Sequence, residues 1–224
     1  AGNLVATTDD NNGVIDLGQM AVDGTVALTT NGNGAATIVN DAGLNFTTST
    51  VTGALSATAT TGDITDSGNL TITGAATFIT GVDESNIVLD SSGNAFSSSV
   101  EMRADAGGED FGNITFVDSA GIDFATSAGS NGDLYINSST DGTVGGNLSV
   151  TATTGNITDT VAVVTTGSST SSFTTSATNG TITLNTPASL AGAVTLSTTG
   201  ASGNATIDNG TTALNIAASS IGGN

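Results

Sequence analysis

The chain has 224 residues, of which 20 are acidic and one, Arg103, is basic, and it contains neither histidine nor cysteine. The net charge of -19 excludes the basic footprint that nucleic-acid binding needs, and it disfavours anionic membrane surfaces. The lack of cysteine excludes a disulfide framework and thiol chemistry, so stability must come from backbone ladders and packing.

Residues 1–52 form the first repeat-like segment. Short apolar runs occur in it at Val26 and Leu28, at 36–38 and at 44–46, and each run alternates apolar and polar residues. Such alternation with β-branched residues predicts strands, and the Gly, Asn and Asp residues between the runs predict turns. Because these runs match runs near the end of the chain, we interpret this segment as a partial repeat that begins in the middle of a repeat unit.

A complete unit follows at residues 53–145 and contains the sequence LSATATTGDITDS at 55–67. It is longer than the next unit, and the extra residues lie in an insert near 125–143. A solenoid tolerates an insertion of nearly one coil. We therefore expect the strands on either side of the insert to keep their phase.

The last complete unit, 146–223, repeats the same strand as LSVTATTGNITDT at 148–160, with ten of thirteen positions identical. Asn224 matches the residue that opens the next unit. Self-similarity at a long period predicts a repeat architecture. We expect residues 1–224 to be one continuous solenoid segment, an excerpt of a longer array without a capping segment.

The spacing of the runs predicts the fold class. No window of eleven or more residues carries a 3.6-residue apolar period, so we predict an all-β fold. Coils of about 19–25 residues, each with two or three strands, would stack about 4.8 Å apart and bury their small inward faces against one another. The sequence therefore predicts a parallel β-helix (β-solenoid) of roughly ten coils, built from imperfect repeats of about 77–93 residues.

One family resemblance rests on the motif order in the last unit. The pattern GNLSVTATTGNITD, followed by TG, a Phe-containing strand, an ITL strand and a GNATI strand, resembles the haemagglutinin-type repeats of filamentous-haemagglutinin-like bacterial surface exoproteins. The resemblance covers about residues 13–224 and departs from the pattern at 101–111 and in the insert after Phe124. It implies a right-handed parallel β-helix, secretion across the outer membrane, and a role in attachment, biofilm or surface fibres.

A candidate metal site lies in the segment EMRADAGGEDF, whose counterpart in the next unit has no carboxylate. Its four acidic residues are Glu101, Asp105, Glu109 and Asp110. Calcium takes several oxygen ligands at about 2.3–2.6 Å, and Gly107-Gly108 would let the loop close around the ion. The alternative is a solvated loop in which Arg103 offsets part of the charge, and the GGxGxD calcium pattern is absent. Beyond calcium, no cofactor is expected.

Asp63 and Asp66 follow the repeated strand and are matched by Asn156 and Asp159 in the next unit. Asp and Asn side chains hydrogen-bond to their own backbone in turns and tolerate left-handed conformations. Since one copy has asparagine in place of aspartate, we interpret these residues as turn residues rather than as a catalytic pair.

Asparagine also appears in candidate glycosylation sites. Asn-x-Ser/Thr sequons begin, among other positions, at Asn69, Asn113, Asn147, Asn156 and Asn204, which are the candidate sites. A chain rich in Asn, Ser and Thr produces sequons by chance, and stacked asparagine side chains form ladders along β stacks. Both interpretations stay open.

Aromatic residues are few, and four of the phenylalanines fall at matched positions of the repeats. Phe46, Phe78, Phe124 and Phe173 are therefore predicted to fill the core. Tyr135, the one tyrosine, lies in the insert, where we favour packing of an extra coil over a binding contact.

The residue inventory also bears on function. Carbohydrate-active enzymes use β-helices too, but lyases generally need a Lys, Arg or His base, and no acid pair stands out as a glycosidase pair. We therefore expect a non-enzymatic structural region of a secreted, cell-surface filamentous adhesin or extracellular fibre. The alternatives are a calcium- or carbohydrate-binding β-helix module and, less favoured, a carbohydrate-active enzyme. Expected partners are further copies, joined end to end or laterally, and host or surface glycans; neither nucleic-acid binding nor membrane insertion is expected.

Overall fold

The computed structural model describes residues 2–104, 111–125, 133–136 and 143–224. Over these residues the chain forms 26 strands and no helix. The strands are β1 (Leu4–Thr7), β2 (Ile15–Met20), β3 (Thr25–Thr29), β4 (Ala36–Asn40), β5 (Leu44–Phe46), β6 (Ser49–Val51), β7 (Leu55–Ala59), β8 (Ile64–Asp66), β9 (Leu70–Ile72), β10 (Ala76–Thr80), β11 (Ile87–Leu89), β12 (Ala95–Phe96), β13 (Val100–Arg103), β14 (Ile114–Asp118), β15 (Ile122–Phe124), β16 (Asp133–Ile136), β17 (Thr143–Val144), β18 (Leu148–Ala152), β19 (Ile157–Asp159), β20 (Val164–Thr165), β21 (Ser171–Thr178), β22 (Ile182–Leu184), β23 (Ser189–Leu190), β24 (Ala193–Thr199), β25 (Ala205–Ile207) and β26 (Asn215–Ile216).

The strands form three parallel sheets of 13, 10 and 3 strands, in which each winding lies on the previous one. Leu55 of β7 pairs with Ala36 in the winding before it and with Ala76 in the winding after it. Leu148 of β18 pairs in the same way with Ser171 of β21. The result is a β-solenoid of about 8 turns, which confirms the predicted fold class but has fewer coils than the ten expected. The right-handed winding implied by the resemblance stays a prediction.

Alternation along each strand builds the core. In β7, Leu55, Ala57 and Ala59 are buried, whereas the intervening Ser56 and Thr58 are half-buried. Successive side chains of a strand point to opposite faces, so a period of two sends one set inward. Each winding buries only this narrow inward set, and the windings above and below complete its burial, because no winding has a core of its own.

The phenylalanines predicted to fill the core are buried, which confirms that interpretation: Phe46, Phe78, Phe124 and Phe173. Phe46 packs edge to face on Phe78, with ring centroids 6.2 Å apart, and Phe78 packs in the same way on Phe96. Phe96 then contacts Phe116 at 5.2 Å. Edge-to-face pairs at these distances are favourable beyond the area they bury. The aromatic rings therefore form a continuous column through several windings.

A glycine lies in the turn that follows the repeated strand in both units. Gly62 and Gly155 have φ angles of 81° and 90°, a backbone region that side chains with a Cβ rarely adopt. The turn lets the chain start the next strand directly afterwards, at Ile64 and Ile157. The TTG-Asp/Asn sequence that the two units share thus follows from the conformation that the turn requires.

The strands on either side of the insert keep their phase, since Ile114 of β14 pairs in register with Leu148 of β18. The two copies of the repeated strand nevertheless do not stack on one another. Leu148 pairs with Ile114, Ile114 pairs with Ile87, and Ile87 pairs with Ile64. Leu148 therefore does not lie above Leu55. The extra strand β16 lies between β13 and β15 in the 10-stranded sheet. The second copy of the repeated strand, β18, lies in the 13-stranded sheet, whereas the first, β7, lies in the 10-stranded sheet.

Candidate functional site

Polar side chains at inward positions connect successive windings. Asn40 ends β4, next but one to the buried Ile38, and is itself fully buried. Its Nδ2 donates to the carbonyl oxygens of Val22 (2.9 Å) and Gly43 (2.8 Å), and its Oδ1 accepts the Val22 N–H (2.9 Å). One side chain thus satisfies three backbone groups where the chain turns, which buried polar groups require.

Two further buried asparagines repeat this arrangement. Asn94 Oδ1 accepts the Leu70 N–H at 2.8 Å, and its Nδ2 donates to Asp66 at 2.6 Å. Asn209 Oδ1 accepts the Leu190 N–H at 2.8 Å, and its Nδ2 donates to the Leu190 carbonyl at 3.2 Å. None of these three asparagines was predicted from the sequence. Their position in the inward–outward alternation of the strand indicates them. Asn40, Asn94 and Asn209 each lie two residues from an inward apolar residue, so their side chains also point inward.

The aspartates after the repeated strand have the structural role that was predicted, but their partners differ. Asp66 accepts the backbone N–H groups of Asp90 (2.9 Å) and Ser91 (3.3 Å), one winding later. Asp159 does the same with the N–H groups of Asn185 (2.8 Å) and Thr186 (3.1 Å). These carboxylates join two windings instead of closing their own turn.

Asp118 is the most deeply buried carboxylate described, with 1% of its surface exposed. Its Oδ1 accepts the N–H groups of Phe96 (3.2 Å) and Ala120 (3.3 Å). Burial raises the pKa of Asp118 above its ordinary value, and these hydrogen bonds offset only part of that effect. Burial, with the nearby charge of Asp123, likewise raises the pKa of Asp159.

The raised pKa of Asp118 predicts that acid stabilises this part of the fold. The folded chain holds a proton at pH values where the unfolded chain has lost it, so the free energy of unfolding rises as the pH falls through the folded pKa. The full gain is reached below the unfolded value of 3.8. Urea unfolding followed by far-ultraviolet circular dichroism at a series of pH values measures this gain.

The Asp118→Asn variant tests the assignment, because asparagine keeps the accepting Oδ1 and removes the titration. We expect a shallower rise of stability toward acid pH than in the parent chain. Asp9→Asn, at an exposed position, changes the net charge equally and controls for general charge repulsion. Equal pH profiles for the two variants would contradict the role given to Asp118.

A second column of polar side chains runs along the surface of the 13-stranded sheet, at the position just before β8, β11, β14, β18 and β21. Asp63 accepts the Asn86 N–H (2.7 Å), and Asn86 accepts that of Asn113 (2.8 Å). Asn113 accepts the Asn147 N–H, and Asn147 accepts that of Thr170, both at 2.8 Å. Each side chain satisfies the backbone donor of the next winding, so the column, which we call the asparagine ladder, fixes the register between windings.

The predicted glycosylation asparagines are all exposed: Asn69, Asn113, Asn147, Asn156 and Asn204. Two belong to the asparagine ladder, and Asn156 and Asn204 likewise accept the N–H groups of Thr181 and Asn224 at 2.8 Å. The ladder interpretation therefore holds for these four residues. Glycosylation at these five asparagines stays a prediction.

The candidate metal site lies mostly outside the described residues, since Asp105, Glu109 and Asp110 fall there. Glu101 lies on β13, half-buried, with its backbone in register with Tyr135 of β16. In the part of the chain that the structure describes, no group of three or more His, Cys, Asp or Glu residues is placed to hold a metal ion. Calcium at the predicted cluster stays a prediction.

Two shallow surface grooves of about 330 Å³ occur among the described residues. One is lined by Glu84, Phe111 and neighbouring polar residues. The other includes Asp23, Asn45 and Asp63 in its lining. Asn45 Oδ1 is buried there and has no hydrogen-bond partner in the described part of the chain. Because both grooves are open depressions, neither forms the enclosed pocket typical of small-molecule sites.

Parallel stacking, hydrogen-bonded polar columns and a continuous narrow core define a β-solenoid repeat protein. Residues 33–103, which run from the turn before β4 to the end of β13, match the family described as Repeats of unknown function (DUF5649). No curated protein and no solved structure matches the chain. Among the described residues, no helix has the length and apolar character needed to cross a membrane.

Proposed function

We propose that the chain is the structural repeat region of a secreted, cell-surface filamentous adhesin or extracellular fibre, in which the solenoid supplies a rigid rod. The observation that carries the proposal is the stack itself: one column of inward residues continues through Leu44, Ile64, Ile87, Ile114 and Leu148. Each winding depends only on its neighbours, so such a structure gains length by adding windings.

Two further features support this proposal. The resemblance to filamentous-haemagglutinin-like exoproteins favours attachment, biofilm or surface fibres, and an extracellular or cell-surface location. The net charge of -19 would keep long rods soluble and apart. The inward asparagines and aspartates described above bond to backbone groups, which favours a structural and non-enzymatic role for them.

The runner-up is a calcium- or carbohydrate-binding module. The groove lined by Asp23, Asn45 and Asp63 favours it, because a buried amide oxygen and carboxylates are ligands that calcium prefers. However, Asp63 already accepts two hydrogen bonds from Asn86, which reduces its availability for an ion. We therefore rank the rod first.

A polypeptide of these 224 residues is expected to associate end to end. The outer strands β1 and β26 each pair with one strand only, and Val5 and Ile216 on them are 74% and 47% exposed. Open strand edges and exposed apolar residues template further strands. Light scattering and negative-stain electron microscopy should show rods that lengthen with concentration.

Persistently monodisperse monomers at high concentration would contradict end-to-end growth. Calcium provides the comparison with the runner-up, because an ion that binds the folded state raises its unfolding temperature. We expect no such rise. A calcium-dependent rise in the unfolding temperature without any rods would favour the binding module instead.

A further inference from the structure

Asparagine followed directly by glycine occurs six times in the chain. Five of these pairs lie in the described residues and begin at Asn12, Asn31, Asn33, Asn179 and Asn209, and the sixth, at Asn131, lies outside them. The glycine nitrogen of such a pair can attack the side-chain carbonyl carbon of the asparagine, because glycine has no Cβ to obstruct the approach. Each pair is therefore a candidate for spontaneous deamidation.

The reaction has two steps and needs only water. In the first, the glycine nitrogen bonds to the asparagine Cγ, the Cγ–Nδ2 bond breaks, and the glycine proton leaves with Nδ2 as ammonia, which closes a succinimide ring. In the second, water adds to one of the two ring carbonyls and reopens the ring as aspartate or as isoaspartate. The first step takes the proton from the glycine N–H, so a hydrogen bond from that N–H to another acceptor must break beforehand.

Four of the five glycine N–H groups are hydrogen-bonded inside their own turns. The acceptors lie at 2.9–3.0 Å: Gly13 donates to Asp10, Gly34 to Asn31, Gly180 to Ala177 and Gly210 to Asp208. Asn209 is also buried, and its Oδ1 and Nδ2 both bond to backbone groups. These pairs react only after the turn opens locally, and the free energy of that opening slows the reaction.

Gly32 is the exception. Its N–H donates to no acceptor in the part of the chain that the structure describes, and both Asn31 and Gly32 are exposed to the water that opens the ring. The φ angle of Gly32 is 67°, a backbone region that glycine adopts without strain. One exposed hydrogen bond, from Asn31 Nδ2 to the Thr8 carbonyl oxygen at 2.8 Å, holds the side-chain amide. Water replaces such a bond at little net cost, so the amide is free to turn toward the glycine nitrogen.

We propose that Asn31 is a modification site of this chain, at which spontaneous deamidation produces aspartate or isoaspartate while the other four described pairs stay intact. The difference comes from the fold, since all five pairs consist of the same two residues and the hydrogen bonding of the glycine N–H separates them. The modification adds one negative charge to a chain whose net charge is already -19.

Deamidation at Asn31 weakens the attachment of the first winding. The Asn31 side chain bonds to Thr8, and its backbone carbonyl oxygen accepts the N–H groups of Asn12 and Gly34, both at 3.0 Å. A carboxylate oxygen in place of Nδ2 cannot donate to Thr8 and repels its carbonyl oxygen. In isoaspartate the main chain continues through Cγ, so the carbonyl group that Asn12 and Gly34 use leaves the main chain. We expect residues 8–13 to detach from the next winding.

The consequence for a rod rests on the structural function proposed above. Among the described strands, β1 pairs with β3 alone, so it forms an open edge at which end-to-end growth would template a further strand. A frayed first winding offers no ordered edge. Rods of aged protein should therefore stop growing at this end.

Peptide mass spectrometry of the aged, intact protein tests the site. The folded protein is incubated at mildly alkaline pH, then unfolded in acid and digested with pepsin, and the mass gain on replacing NH2 by OH is followed at each pair. We expect deamidation at Asn31 at least about fivefold faster than at the other four described pairs, since breaking one hydrogen bond before reaction slows it by about that factor. The same incubation in urea is the control, and there we expect the five rates to converge.

Two neighbouring variants provide matched controls. Asn31→Gln removes the reactive amide, because glutamine must close a larger ring and does so far more slowly, whereas Asn33→Gln alters the adjacent pair in the same turn. We expect the aged Asn31→Gln chain to show little modification of this turn and the aged Asn33→Gln chain to react at Asn31 as the parent does. Hydrogen exchange of residues 8–13 on fresh and aged samples should accelerate with age in the parent and in Asn33→Gln only.

Deamidation of the folded protein at Asn33 or Asn209 as fast as at Asn31 would overturn the proposal, as would an Asn31 that reacts in urea and stays intact in the folded chain. Modification of Asn31 without faster exchange of residues 8–13 would refute the loosening. Rods of normal length from fully modified protein would separate the site from end-to-end growth, and an unmodified chain that never forms rods would contradict only the proposed function.

Discussion

Replacing Phe78 by alanine is expected to lower the free energy of unfolding by about 3–5 kcal/mol. The side chain is fully buried and packs edge to face on Phe46 and Phe96, each with ring centroids 6.2 Å apart. The substitution removes two aromatic pairs and leaves a cavity that neighbouring windings cannot fill, because strand pairing on both sides fixes their backbone.

Urea unfolding followed by far-ultraviolet circular dichroism measures this loss. Thr77→Ala is the matched control, since Thr77 is next to Phe78 in β10 and points outward. We expect the control to change stability by less than about 0.5 kcal/mol, as surface substitutions usually do. A loss below about 1 kcal/mol for Phe78→Ala would show that the aromatic column contributes little to the core.

The Asn40→Ala variant is expected to lose about 2–4 kcal/mol of stability. The substitution leaves the N–H and carbonyl of Val22 and the carbonyl of Gly43 without their partner. Unsatisfied buried backbone groups keep the cost of leaving water and gain nothing in return. The loss should appear as a lower midpoint in urea unfolding.

Asn113→Ala provides the comparison, because Asn113 is an exposed residue of the asparagine ladder. Water can replace the bond that its Nδ2 donates to Asn86 Oδ1 and the bond that its Oδ1 accepts from the Asn147 N–H, so we expect a loss of only about 0.5–1.5 kcal/mol. Equal losses for the two variants would show that position relative to the core does not decide the role of asparagine in this fold.

Asn113 was identified from the sequence, whereas Asn40 was identified only in the structure. The sequence drew attention to five asparagines in sequons, and the structure places those five at the surface. The buried Asn40 and Asn94 lie outside sequons, and the buried Asn209 begins one, so the sequon does not distinguish the two groups. The phase of the buried asparagines with the inward residues of the strands indicates them instead. Phase gives the side of the strand on which a residue lies. It does not give the backbone groups that the side chain meets, since those belong to another winding.

The sequence by itself determined the strands, the glycine turns at Gly62 and Gly155, and the core phenylalanines, because each depends on local alternation or on one backbone conformation. The tertiary structure decided which strands lie above one another. The stretch of chain between paired positions is short from Ala36 to Leu55 and much longer from Ile114 to Leu148, where the insert intervenes. The two copies of the repeated strand lie in different sheets, and only the stacked structure reveals this, because local alternation does not specify which strands pair.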